Sequence, residues 1–234
     1  MHVFDESKPE PLTREGTRRR SLMTAIAANT PELRRRKLAV PKSFDDLTDA
    51  SLRGLITMPN PESSGTGYFI VCGILQARGE EAGWTYLDRL HQNIAQYTHS
   101  GSKPATMAAA GEYPLGISLD ARVIAEHKRG APVEIVFAAE KCGWDLEAMG
   151  LVQKKEVKPA AKVFLDWAAS PAAFAHYTNY SAVVSHDAFT TVPPGYPQKP
   201  FDQLAGVDLK WAADNRDRIL REWNRRYGGK SEPK

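Results

Sequence analysis

Apolar positions recur along the chain in two alternating rhythms. Short unbroken runs at residues 55–58, 94–97, 115–118 and 133–137 predict strands. Between them, apolar residues three or four apart predict helices over 67–78, 80–92, 104–110 and 122–128. That alternation indicates an α/β architecture, with the loops at the strands' C-terminal ends as the expected ligand edge. Past Gly143 the pattern turns helical: one strand over 148–153, then helices over 158–169 and 171–177, parted at Ser170-Pro171. A proline-rich connector over 192–200 leads to one long amphipathic helix over 209–227, ended by Gly228-Gly229. These later helices have almost no sheet of their own to cover. At the other end, residues 1–22 are polar, lack periodicity and read as a poorly ordered tail. Thr30 caps a short helix that Pro31 opens, and 41–47 reads as a second capped turn. No internal repeat is visible.

Composition narrows the class without naming a chemistry. With 42% hydrophobic and 25% charged residues, the 234-residue chain is that of a globular protein with a sizeable core. A net charge of +3 argues against a nucleic-acid partner, and the Arg18–Arg20 and Arg34–Lys37 runs read as solvated faces. Cys72 and Cys142 are the only cysteines, without CxxC or Cys/His spacing, so neither a metal nor a cofactor is expected. Cys72 reads as a buried thiol, and spacing leaves a bridge between the two open. No apolar run reaches the length of a membrane span. Arg18-Arg19-Arg20 before residues 21–28 superficially resembles a twin-arginine leader, but the apolar part is short and meets Asn29-Thr30-Pro31, so no convincing export signal is present.

Candidate chemistry sits at two strand-to-helix junctions. In Pro59-Asn60-Pro61-Glu62-Ser63-Ser64-Gly65-Thr66-Gly67, prolines stop a strand and glycines allow close backbone approach. Hydroxyls and free N–H groups then gather at a helix start, where the dipole favours an anion. The plain alternative is an ordinary cap by Ser63 or Ser64. The segment His99-Ser100-Gly101-Ser102-Lys103-Pro104 repeats the arrangement. Together Ser63, Ser64, Gly65, Thr66, Ser100, Gly101 and Ser102 form a candidate oxyanion cradle, with Lys103 as added charge or as a surface residue. Asp120, after the 115–118 strand, is the candidate acceptor for a ligand ammonium; otherwise it is a solvated loop residue or a cap. There is no P-loop and no GxSxG elbow.

The stretches PNPESSGTGY, GEEAGWTYLDRLHQNIAQYTHSGSKP, AAGEYPLGIS, GWDLEA, KPAAKVFLDWAAS and NRDRILREWNRRYGGKSEPK resemble the periplasmic substrate-binding proteins of ABC importers, type II fold. Within them the chain is most similar to 2-aminoethylphosphonate-binding proteins, related to the ferric-iron-binding group. The resemblance implies a binding protein rather than an enzyme, with a phosphonate-like small anion as ligand, a membrane permease as partner and a periplasmic location. It implies that 50–138 form the second α/β lobe, 24–49 a connector and 139–234 the hinge return and C-terminal helices of the first lobe. Relatives are longer at the N-terminus, so 1–23 is expected to be a non-family tail on a truncated chain, cytoplasmic if export is lost. Exposed apolar surface is then expected at Val163, Phe164 and Trp167. Two departures touch the ligand: Leu119-Asp120-Ala121 where relatives often carry an aromatic residue, and Ala138–Gly143 in place of a Pro-x-Glu-Gly hinge turn.

Other classes are weaker. A ferric-iron variant of the fold would use Tyr113 and His99, without the paired tyrosines of that group. An enzyme acting on phosphate esters would need Asp88, His91, His99 and Asp120 at nucleophile or metal-ligand spacing, which they lack. A product that binds nothing, for want of half a cleft, is the remaining alternative.

Overall fold

A computed structural model describes residues 18–141, 143–151, 154–179, 192 and 194–233. Its first element corrects the expectation of a disordered tail to residue 22, because Arg18–Asn29 is strand β1. Residues 23–29 of it are buried. The run Ala25-Ile26-Ala27-Ala28 explains this placement. Ala25 and Ala27 face one side, where small side chains let two helices sit close, while Ile26 and Ala28 face the main core.

Asn29, not Thr30, caps the short helix α1 (Thr30–Arg35): its Oδ1 accepts from Glu32 N at 3.1 Å. Two 3-10 turns, Asp45–Thr48 and Ala50–Leu52, lead into β2 (Ile56–Pro59). The alternation then follows the sequence expectation to within two residues at most bounds: α2 (Gly65–Arg78), α3 (Glu80–Asn93), β3 (Ile94–Thr98), α4 (Lys103–Ala110), β4 (Leu115–Leu119), α5 (Asp120–Lys128) and β5 (Val133–Val136). The next strand, β6, covers Trp144–Ala148, ahead of the 148–153 expected, of which 152 and 153 lie outside the described residues. Pairing with β1 decides the matter, since Met23 lies opposite Trp144 and Leu22 opposite Asp145. Helices α6 (Pro159–Ala168) and α7 (Pro171–Tyr177) follow. The long helix expected to the C-terminus is two, α8 (Leu209–Asp214) and α9 (Arg216–Tyr227). Asn215 parts them, its amide donating back to Trp211 O at 2.9 Å in competition with the helical ladder. Of the 192–200 connector residue 193 lies outside the described residues, as does Cys142.

The sheet runs β3-β2-β4-β1-β5, with β6 also on β1. Strands β2, β3 and β4 are parallel, so their C-terminal ends and the helices leaving them share one edge. β1 runs against β4, β5 and β6: residues 24–28 face β4, while 26–29 and 18–23 face β5 and β6 in turn. Close approach fixes the helix layer. A Cβ on Gly116 of β4 would lie 2.3 Å from Pro104 O of α4, so only glycine fits there.

The main core joins Ile26, Ile56, Met58, Ile70, Leu87 and Ile117 to Trp223 and Tyr227 of α9. The stripe Ile219-Trp223-Tyr227 is one apolar helix face, and it meets an aromatic partner face on α3 and β3. Trp223 sits edge-on to Tyr97 at 4.9 Å between centroids, and Tyr227 OH donates to Asp88 Oδ1 at 2.7 Å. The expected apolar exposure is present: Val163, Phe164 and Trp167 are 67%, 56% and 47% exposed.

His91 lies inside this joint, with Nδ1 2.9 Å from Tyr97 OH. Burial first and Lys230 second hold its pKa below the ordinary value, against the pull of Asp88. A depressed histidine is neutral when folded, so its contribution is complete above the unfolded pKa near 6.5 and declines as pH falls below it. The melting temperature is therefore expected to drop as pH falls below about 6.5, and His91→Gln should flatten that part of the profile. An unchanged slope in the variant would remove His91 from the account.

Candidate functional site

The two junctions singled out by the sequence meet at the sheet edge. At the first, Ser64 is buried and caps α2, its Oγ accepting from Gly67 N at 3.4 Å, while Ser63 and Gly65 are exposed and Thr66 is half-buried. At the second, Ser100 is exposed and Gly101 and Ser102 are half-buried, just ahead of α4. A Cβ built on Gly101 would lie 2.1 Å from Thr66 Oγ1 and 3.2 Å from Ser64 Oγ, so the two loops touch. Ser63 Oγ and His99 Nδ1 share a hydrogen bond of 2.8 Å, a second tie between them. The second loop is held from beneath, with Thr98 Oγ1 donating to Ser100 O at 2.9 Å and Ser118 Oγ to Gly101 O at 2.6 Å. Among the described residues the backbone N–H groups of Gly65, Thr66 and Gly101 have no acceptor, which leaves them for an anion. The buried Nε2 of His99 is unpartnered as well.

Asp120 stands apart from this cradle. It is fully buried, neither a solvated loop residue nor a side-chain cap. Met23 N donates to its Oδ1 at 3.2 Å and Tyr196 OH to its Oδ2 at 2.5 Å. It thus clamps β1 at the start of α5. Lys103 is likewise engaged: its ammonium pairs with Glu232, whose other oxygen accepts from His99 N at 2.5 Å. Burial raises the pKa of Glu232, while Lys103 and the His99 N–H lower it by more, leaving it below the usual carboxylate range. Sequence reasoning missed Glu232 and Ser118. Ser118 was legible as the end of a strand, but nothing in the polar tail after Gly229 signals a return to this edge.

Cys72 is buried with a free thiol, which burial pushes up to about 11, an environment for packing and not for reactivity. Among the described residues no three His, Cys, Asp or Glu side chains converge as a metal would require. No helix of the described residues is long and apolar enough to cross a membrane.

Two touching helix starts at a parallel-strand edge, with N–H groups that have no acceptor among the described residues, lie where open α/β folds take their ligands. The sequence profile of the bacterial extracellular solute-binding proteins matches residues 20–203, and the chain belongs to that family. Its fold is that of the type II periplasmic binding proteins. The periplasmic binding protein AfuA from Actinobacillus pleuropneumoniae, solved with fructose 6-phosphate bound, is 28% identical, with a TM-score of 0.81 over 90% of this chain and 68% of its own. The periplasmic binding protein P5PA is 26% identical, with a TM-score of 0.79 over 91% of this chain and 69% of its own. An uncharacterized protein of Haemophilus influenzae is 36% identical over 131 residues, 56% of this chain and 38% of that protein. The match thus spans less than two fifths of that relative. The family and both structural neighbours are binding proteins, not enzymes.

Proposed function

We propose that this chain recognises a small organic phosphate or phosphonate for an ABC importer and delivers it to the membrane permease from the periplasmic side. The observation that carries this reading is the contact between the two helix starts. Packed against each other at Gly101 and Thr66, they bring the N–H groups of Gly65, Thr66 and Gly101, with Ser63, Ser100 and Ser102 beside them, to one edge of the sheet. Backbone donors at helix N-termini favour a tetrahedral oxyanion over a cation or an apolar solute. The phosphate of the sugar bound to AfuA supports the same chemistry.

Within the class, the reading extends to 2-aminoethylphosphonate and to sugar phosphates alike, since the cradle addresses only their shared phosphorus group. Asp120 is left out of the ligand shell, because Tyr196 and Met23 N already satisfy its carboxylate behind the sheet edge. An ammonium on the ligand must find its acceptor elsewhere.

Isothermal titration with fructose 6-phosphate, 2-aminoethylphosphonate and inorganic phosphate tests the proposal. Heat from at least one is expected, and silence with all three, accompanied by no thermal stabilisation, overturns it. Ser64→Ala combined with Ser102→Ala should weaken the measured binding more than ten-fold, about 1.4 kcal/mol. Equal affinity in the double variant would remove these serines from the site.

A further inference from the structure

The last turn of chain beyond α9 returns to the cradle and brings a carboxylate with it. Lys230 Nζ donates to His91 O at 2.6 Å and to Ile94 O at 2.8 Å, which anchors the start of the return. Ser231 then bridges to Tyr97 of β3, and its Oγ accepts from Asn60 Nδ2 at 2.8 Å. Glu232 N donates to Tyr97 O at 2.9 Å, so the segment meets β3 through a single parallel bridge. The Glu232 side chain, only 10% exposed, is thereby delivered to the junction between β3 and α4. There it accepts from His99 N and pairs with Lys103, the first residue of α4.

This pair is built in a way that an adventitious surface contact is not. Three residues of the tail are bonded to three different segments, and the carboxylate accepts from a backbone amide as well as from an ammonium. Its effect on the site is electrical. Lys103 follows Ser102 directly as the first residue of α4, where a free ammonium would favour any nearby anion, but the Glu232 carboxylate is paired with it. The cradle is left with neutral donors.

We propose that Glu232 is a specificity-determining residue of the anion site: a counter-charge carried in by the C-terminal tail that withholds the Lys103 charge from the ligand. The inference rests on the reading of the 63–66 and 100–102 loops as the phosphorus-group cradle. Its consequence is discrimination. With Lys103 free, the site would take any anion by charge; with Lys103 neutralised, binding depends on hydrogen-bond geometry and on the organic part of the solute. A bare phosphate ion is then a poor competitor for an esterified one.

The test is a charge cycle read with inorganic phosphate and fructose 6-phosphate by titration calorimetry at two salt concentrations. Glu232→Gln keeps an oxygen for His99 N and removes the charge. It should tighten phosphate binding about ten-fold, steepen its salt dependence by about one charge, and narrow the preference for the ester. Lys103→Met alone leaves an uncompensated carboxylate and should weaken both ligands. The double variant Lys103→Met/Glu232→Gln restores neutrality and should return close to the original protein.

Other orders overturn the inference. If Glu232→Gln binds phosphate no better, or the double variant binds as weakly as Lys103→Met, then Lys103 contacts the ligand directly and Glu232 only positions it. Failure of the proposed function looks different, because the original protein then binds neither ligand. In that case phosphate binding that appears in Glu232→Gln still supports the counter-charge, and its absence there overturns both. A thermal melt of each variant confirms that the fold is retained, and the double variant serves if Glu232→Gln melts early.

Discussion

Gly101→Val is expected to abolish solute binding, with affinity for the best ligand falling at least 100-fold, about 2.7 kcal/mol. The reason is geometric. A Cβ at this position would lie 2.1 Å from Thr66 Oγ1 and 2.6 Å from Thr66 Cβ. Thr66 cannot swing aside, since it is β-branched and sits in the first turn of α2, where χ1 is restricted. Nor can Gly101 retreat, because Ser118 Oγ holds its carbonyl from below at 2.6 Å. The two helix starts must therefore part by an ångström or more, and the donors no longer converge on one phosphorus group. The core is untouched, so the melting temperature should fall only modestly. Gly101→Ala combined with Thr66→Gly removes the clash and should recover part of the binding. Titration of the three proteins with the same solute decides the point: full affinity in Gly101→Val would mean that the loops act independently.

Trp223→Ala is expected to cost about 3–5 kcal/mol of stability, measured as a shift of the denaturant midpoint. Trp223 is 1% exposed and lies edge-on to both Tyr97 and Tyr227, with centroids 4.9 and 4.7 Å apart. Truncation empties the joint that fastens α9 to the sheet, and the partly exposed ion pair of Arg226 with Asp88 is too weak to replace it. Trp223→Phe is a sharper probe. Among the described residues the indole N–H has no acceptor, although it is buried. A phenyl ring loses some contact area but removes that unsatisfied donor, which costs about 1–3 kcal/mol in such a setting. The phenylalanine variant should therefore lose under about 2 kcal/mol. Equal losses for both variants would show that size alone governs the joint.

The α/β rhythm from residue 56 to 136 was legible because each strand is a short apolar run and the helices between them carry apolar residues at helical spacing. The two junctions were legible for the same reason, since serine and glycine between a strand and a helix have a local meaning, and the structure brings the two loops into contact. What escaped was set by partners distant in sequence. β1 reads as a tail because its N-terminal half is arginine-rich, and only pairing with β6, more than a hundred residues on, makes it a strand. Asp120 reads as a surface acidic residue because nothing nearby reveals Tyr196, 76 positions away. Glu232 lies in a stretch of composition that fits any polar tail, and its role comes from contacts to residues 97, 99 and 103. The helix expected over 209–227 failed at Asn215, whose side chain competes for the backbone in a way that periodicity does not register.

β1 is one strand with two sets of neighbours, paired over 24–29 with β4 and β5 and over 18–23 with β6. Side chains on a strand alternate between faces, so the two halves share one phase. An insertion of a single residue near Met23 would leave each half able to pair, yet turn one half over relative to the other. Leu22 would exchange sides with its neighbours while Ile26 stayed in the core. Such an insertion would thus act through the faces of the strand as well as through its length, and would be felt on both sheets of partners at once.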